Sequence, residues 1–381
     1  MVLRRFWLER LEKQWERRSI IWLAGVRRVG KTFLARSASE VEYFDCELPR
    51  VRRGMDDPEA FLSGLRAKRV VLDEVHRLSN PSELLKIAAD HFPTVRVLAT
   101  GSSTLGATRK FRDTLAGRKT ELWLTPMVEA DLLDFRQPDV RHRLLQGGLP
   151  PYFLSAESPE REFQDWIDAY WAKDIQELFR LERRQSFQRF LELLLAQSGG
   201  MFEATRFAAE SEVSRTTIGN YLRVLEETFV VHVVRPFSSR RSTEIVGAPK
   251  VYGFDTGFVC AQRGWRELRG EDLGQLWEHY VLNELHAQTQ SRSVFYWRDK
   301  RGHEVDFVWA QRGRAPLGIE CKWSAKSAGL ENLAAFLRMY PQAQGFVVTT
   351  NAEPGFTREC EGRPVRFGML KDLVAQITGS R

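Results

Sequence analysis

One eight-residue stretch constrains this chain more than any other. Gly25-Val-Arg-Arg-Val-Gly30-Lys31-Thr32 satisfies the pattern GxxxxGK[ST] in full, and it lies directly between the apolar run Ser19–Ala24 and a helical stretch that begins at Lys31. Its glycines let backbone N–H groups curl around phosphate oxygens. The helix N-terminus adds partial positive charge, Lys31 reaches the outer phosphates, and the Thr32 hydroxyl suits Mg²⁺. Further apolar runs at Val41–Asp45, Arg69–Leu72 and Val95–Thr100, with the helix-like segment Ser79–Phe92 between the last two, predict a parallel α/β sheet.

The run Arg69-Val-Val-Leu ends in two acids. Beside the Lys31 loop, Asp73 would hold Mg²⁺ and Glu74 would polarise an attacking water. Ser102 and Ser103 follow the strand Val95–Thr100, where they serve either as a γ-phosphate sensor or as a helix cap or turn. Arg118 lies in a basic stretch with Arg109, Lys110, Arg112 and Lys119. It reads as a second cation for the transition state, in cis or from a neighbouring subunit, or as part of a solvated loop. The expected nucleotide contacts are Gly25, Arg28, Val29, Gly30, Lys31, Thr32, Phe33, Asp73 and Ser102. Thr32 and Asp73 are the expected Mg²⁺ ligands, and Glu74 and Arg118 the expected catalytic groups.

A length of 381 residues suggests two or three cores, and the composition is that of an ordinary globular chain. No apolar run approaches the eighteen or so residues of a membrane span, and the charged N-terminus has no apolar leader segment, which predicts a cytoplasmic protein. The four cysteines form no CxxC pair and read as buried small hydrophobes. A formal charge of +7 only hints at a polyanionic partner. Pattern changes divide the chain into regions 1–130, 131–250 and 251–381.

In the middle region Phe207–Leu225 reads as a short helix, a turn and a second helix capped by Ser214. Ala208, Val213, Ile218, Leu222 and Leu225 are its expected buried side, with Arg215, Thr216, Thr217, Asn220 and Arg223 exposed. Phe229–Val234 and the segment from Pro236, with Arg240 and Arg241, would complete a winged helix. Such a unit contacts DNA or serves as a packing module.

The C-terminal region carries a second constellation. Glu304–Ala310 and Leu317–Trp323 alternate with period two around a turn centred on Gly313, a pattern that predicts a β-hairpin with Asp306 opposite Glu320. Val305, Phe307, Trp309, Leu317, Ile319, Cys321 and Trp323 would share one face, with Glu304, Asp306, Val308, Gly318, Glu320 and Lys322 on the other. Opposed carboxylates repel unless neutralised, and a divalent cation with Lys322 beside it would do so. The bland reading is a solvent face on which Glu304 pairs with Lys322. Residues 291–326 hold eight basic against four acidic side chains, a footprint suited to a nucleic-acid backbone. Trp297 and Trp323 read as core rather than base-stacking platforms.

The segments GVRRVGKT, VLDEV, TGSS, LAGR, LTPMVEADLLDF, GGLP, EVDF and IECK together resemble the prokaryotic AAA+-type ATPases that carry a C-terminal domain of the DUF4143 type. The resemblance covers nearly the whole chain. It implies an ATP-specific P-loop domain with an extra strand between the Lys31 and Asp73 strands, and a ring or other homo-oligomer. His76 departs from it, since glutamine is commoner after the DEV segment. Asp306 and Glu320-Cys-Lys322 also resemble the PD-(D/E)XK restriction-endonuclease-like signature, whose helical acid matches Glu278. The implied fold class is α/β: a P-loop parallel sheet, a helical and winged-helix middle, and a C-terminal α/β restriction-endonuclease-like domain. The implied function is an ATP-binding, ATP-hydrolysing protein acting on DNA, with a nuclease centre using Mg²⁺ or Mn²⁺ at Glu278, Asp306 and Glu320, and Lys322 beside it. The alternative is a nucleotide-dependent switch with an inactive nuclease-like binding domain.

Overall fold

The computed structural model describes residues 2–101, 115–155, 160–176, 183–238 and 247–379. They group into two compact units. The first joins Met1–Asp139, Gly148–Arg184 and Arg223–Val230; the second joins Val140–Gly147, Gln185–Leu222 and Val231–Arg381. No helix among the described residues is long and apolar enough to cross a membrane.

The first unit is built on a five-stranded sheet of β1 (Ile20–Ala24), β2 (Val41–Asp45), β3 (Arg69–Asp73), β4 (Arg96–Thr100) and β5 (Lys119–Trp123). The order is β2-β3-β4-β1-β5, with every neighbour parallel. All five residues of β1 are buried, as a central parallel strand covered on both sides requires. The expected extra strand is β4, which lies between β1 and β3. Lys119, read as the end of a basic loop, instead opens the edge strand β5, whose Leu122 and Trp123 turn into the core.

Helix Arg5–Trp15 buries Trp7, Leu11 and Trp15, a four-residue spacing that makes one continuous apolar stripe. Just ahead of it, Arg4 is 1% exposed and binds Asp131, itself 0% exposed, through two hydrogen bonds of 2.8 and 2.7 Å. A third guanidinium hydrogen bond, of 2.8 Å, reaches the Val29 carbonyl. The Asp131 carboxylate also accepts from Trp7 Nε1 (3.2 Å) and from the Val128 amide (3.0 Å), which starts helix Glu129–Asp134.

The second unit carries a nine-stranded mixed sheet of β6 (Gly200–Met201), β7 (Val231–Pro236), β8 (Lys250–Gly253), β9 (Val294–Arg298), β10 (Glu304–Trp309), β11 (Leu317–Cys321), β12 (Gln344–Val348), β13 (Phe356–Cys360) and β14 (Arg363–Gly368). Its order is β13-β14-β12-β11-β10-β9-β7-β8-β6. Between β9 and β10 the Asp299 carboxylate accepts from the Arg301 and His303 amides at 2.8 and 3.0 Å, an Asx-type turn. Helices Ala204–Glu210 and Arg215–Glu227 form the expected pair. Ser214 caps the second by accepting from the Thr217 amide at 3.1 Å. Arg215, Thr216, Asn220 and Arg223 are exposed, while Ile218 and Leu225 are buried. Tyr221 and Val224 join the buried side, whereas Val213 and Leu222, expected on it, and Thr217, expected exposed, are half-buried. β7 and β8, which flank the expected wing, pair with each other inside the nine-stranded sheet; Arg240 and Arg241 lie outside the described residues.

Removing one partner of a fully buried ion pair leaves an uncompensated charge. Asp131→Ala should therefore destabilise the first unit by about 3–5 kcal/mol, read as a lowered denaturant midpoint relative to the unsubstituted chain.

Candidate functional site

The phosphate-type loop connects β1 to helix Lys31–Ser37. Gly25 has φ +140°, and a Cβ there would stand 2.4 Å from the Leu124 carbonyl oxygen, so no larger residue fits. Arg28 and Gly30 also take positive φ. The Lys31 ammonium lies along the loop, donating to the Gly25 and Val26 carbonyls at 2.8 and 3.0 Å. Burial pulls its pKa below the ordinary lysine value, opposed by the nearby acids Glu74 and Asp174. Gly25, Arg28, Gly30, Lys31, Thr32 and Phe33 line one cavity together with Glu74. Val29 is fully buried beneath the loop, and its contribution is the carbonyl held by Arg4.

The acids at the β3 end are held from several directions. Asp73 is 3% exposed and accepts hydrogen bonds from the Tyr43 and Thr100 hydroxyls. The Thr100 hydroxyl in turn accepts from the Glu74 amide at 3.1 Å. Glu74 occupies the left-handed region at φ +54°, a strained backbone for a non-glycine residue. His76 Nδ1 lies 3.1 Å from its Oε2. Burial alone would raise the Glu74 pKa, but His76, Lys31 and Arg27 outweigh it and hold the group below the ordinary range, as a carboxylate.

Ser102 lies outside the described residues, as do Ser103, Arg109, Lys110 and Arg112. The polar group at the β4 tip that meets Asp73 is Thr100. Arg118 does not line the cavity; it makes a two-point contact with Asp90 at 2.7 and 3.0 Å on a partly exposed surface. Arg27 lies within the loop motif but fills one of its unspecified positions, and nothing in the local sequence marked Tyr43 or Asp174. Tyr43 looked like an ordinary strand aromatic, and Asp174 one acid among many in a helical stretch.

Thr32 and Asp73 together offer the hard oxygen donors that Mg²⁺ prefers. Both belong to the first unit, where they would hold the ion that accompanies a nucleotide.

The second constellation forms on β10 and β11. The register pairs Phe307 with Ile319, Val308 with Gly318 and Trp309 with Leu317, as a turn centred on Gly313 requires. The pairing ends at Phe307–Ile319, one step short of Asp306 and Glu320. There the Asp306 carboxylate accepts from the Cys321 amide at 2.8 Å. Two features depart from the sequence reading. Neither hairpin face is open, because β11 is wholly buried and a Cβ on Gly318 would stand 2.8 Å from the Phe336 ring. Strict alternation also fails. The β10–β9 register shifts between Val305 and Val308, so these residues, expected on opposite faces, join one core cluster. Trp297 belongs to that core, and Trp323 is half-buried at 6.0 Å from Trp277, ring to ring.

Lys322 does not pair with Glu304. It lies 3.0 Å from Glu320, while Glu304 binds Lys250 and, at 3.8 Å, Arg298. Glu278, on helix Gly270–Thr289, accepts from the Tyr252 hydroxyl at 3.3 Å. Burial, reinforced by Asp306, pushes both Glu278 and Glu320 up to about 8. Burial raises Asp306 as well, against the pull of Lys322. The structure thus brings Glu278, Asp306, Glu320 and Lys322 into one electrostatic neighbourhood and adds Lys250 and Tyr252. A carboxylate donor set suits a divalent cation, yet among the described residues no group of three or more His, Cys, Asp or Glu is arranged to hold a metal ion.

Comparison with known proteins gives an AAA domain over residues 17–133, a domain of unknown function, DUF8612, over 137–269, and another, DUF4143, over 273–361. Two relatives carrying the name uncharacterized protein, from Mycobacterium tuberculosis and Mycobacterium bovis, are each 30% identical over 334 residues, covering 84% of this chain and 74% of theirs. An archaeal relative from Methanocaldococcus jannaschii is 21% identical over 320 residues, covering 74% of this chain and 70% of its own. Among solved structures, a Walker-type ATPase of Pyrococcus abyssi aligns at 17% identity and a TM-score of 0.45, over 69% of this chain and 96% of that one.

The raised carboxyls have a consequence for stability. An unfolded glutamate loses its proton near the ordinary 4.5 and the folded ones near 8, so between these values folding retains protons that unfolding releases. Stability of the second unit should fall as pH rises through that window. Glu320→Gln should flatten the fall, measured as melting temperature against pH.

Proposed function

Since the chain belongs to the family of P-loop proteins that join an AAA domain to a C-terminal DUF4143 domain, we propose that it hydrolyses ATP and uses the reaction to act on DNA. The observation that carries the first half is the single cavity into which Lys31, Thr32 and an ionised Glu74 all open, with Asp73 fixed behind by two hydroxyls. Lys31 and the loop amides bind the phosphate chain, and Glu74 orients a water in line with the γ-phosphorus. A water oxygen–phosphorus bond forms as the bond to the β,γ-bridging oxygen breaks, ADP leaves with that electron pair, and the water proton passes toward Glu74. Thr32 and Asp73 would hold Mg²⁺, which when bound would neutralise charge on the phosphate oxygens.

The DNA half is supported by the exposed Arg215, Thr216, Asn220 and Arg223 on a helix capped at Ser214, side-chain types that meet phosphates and base edges. Function as a homo-oligomer is part of the same proposal, with Arg118 acting on a neighbouring subunit once released from Asp90. Lys31→Ala should abolish ATP turnover; undiminished turnover removes the proposal. In the unsubstituted chain DNA should raise the ATPase rate, and the stimulation should weaken at higher salt, since cationic contacts to phosphates release counterions. A rate indifferent to DNA at both salt concentrations argues against DNA as the partner.

For the second unit the finer proposal is phosphodiester cleavage with Mg²⁺ or Mn²⁺ at Glu278, Asp306 and Glu320, with Lys322 steadying the attacked phosphate. The placement of these four residues in one neighbourhood supports it. A second reading, a nucleotide-dependent switch whose nuclease-like domain only binds a partner, is favoured by the internal contacts of the acids: Glu320 with Lys322, Glu278 with Tyr252 and Asp306 with the Cys321 amide. DNA cleavage that is lost in Asp306→Ala selects the nuclease; no cleavage with either metal selects the switch.

A further inference from the structure

A phosphate-binding cavity is an unexpected place for a buried carboxylate, yet Asp174 lines this one at 1% exposure. It sits where helix Glu160–Tyr170 continues into a wider π-helical segment, Trp171–Ile175. Such wide turns re-aim side chains and recur at functional positions. Asp174 Oδ2 lies 3.1 Å from Arg27 Nη1, and Arg27 is the third residue of the loop itself. The same helix holds that residue a second time, because Trp166 Nε1 donates to the Arg27 carbonyl at 3.1 Å. Helix and loop are therefore joined at one residue through both its side chain and its backbone. Asp174 is also among the acids acting on Lys31.

We propose that Asp174 is an affinity-setting residue of the nucleotide site, competing with the phosphate chain of a bound nucleotide for Arg27. This rests on the nucleotide reading above. Phosphate oxygens and the Asp174 carboxylate are anions of similar reach, and Arg27 is the cation both can engage. A nucleotide that draws Arg27 to its phosphates breaks the side-chain link to the helix while the Trp166 link stays. What the loop holds is thereby reported to the segment 166–175, and the strength of the Arg27–Asp174 pair sets how much affinity is given up.

The test is binding of a fluorescent ATP analogue to the full chain. Asp174→Asn, which keeps the shape and removes the charge, should bind about tenfold tighter; Arg27→Met should bind more weakly, and adding Asp174→Asn to it should change binding little, since the competition has lost its object, whereas the same tenfold gain in that background overturns the inference. Melting temperatures report whether each variant folds. Unchanged or weaker binding by a folded Asp174→Asn overturns the inference. A measurement on the unsubstituted chain stands apart from any folding defect: ATP should alter amide hydrogen exchange across residues 166–175, and bound ATP with exchange there unaltered equally overturns it. Failure of the unsubstituted chain to bind the analogue would instead defeat the nucleotide reading itself.

Discussion

The first unit depends on a charge pair that water never reaches. Arg4 and Asp131 are 127 positions apart and both fully enclosed, so their desolvation is offset only because nearly every polar atom has a partner. Asp131 gathers the guanidinium, an indole N–H and a backbone amide; Arg4 spends its remaining reach on the Val29 carbonyl. The N-terminal helix, the phosphate loop and helix Glu129–Asp134 thus converge on two side chains. A loop whose backbone must face a polyanion with little reorganisation benefits from being tied to so rigid an anchor.

The two acidic constellations are chemically unlike, and environment makes the difference. Glu74 is partly exposed and surrounded by His76, Lys31 and Arg27, so it stays ionised. Glu278 and Glu320 lie buried beside Asp306 in the second unit, and burial drives them toward the neutral form despite Lys322 near both and Lys250 near Glu278. The same residue type is therefore an acceptor in one unit and a proton holder in the other.

Much of this was legible in the chain. Local periodicity and the placement of Gly25, Gly30 and Lys31 were enough for the strand-loop-helix, because that geometry is set by neighbours in sequence. The β10–β11 register was equally readable, since a turn at Gly313 leaves one pairing for the strands beside it. Contacts made across long separations were not. The shift in β10 is imposed by β9, the role of Thr100 by β3 lying alongside β4, and the Arg27–Asp174 pair by a helix nearly 150 residues further on. Burial of both hairpin faces was hidden for a related reason: alternating charges look like a solvent face unless the covering elements are known.

The position of β4 has a metrical consequence. Neighbouring strands in a sheet lie about 4.8 Å apart, so inserting one strand between β1 and β3 sets those two strands about 9–10 Å apart. Adjacent strands would halve that span. The intercalated strand works as a gauge: it sets the interval between the two neighbouring strand ends, and it carries Thr100 on the strand between them.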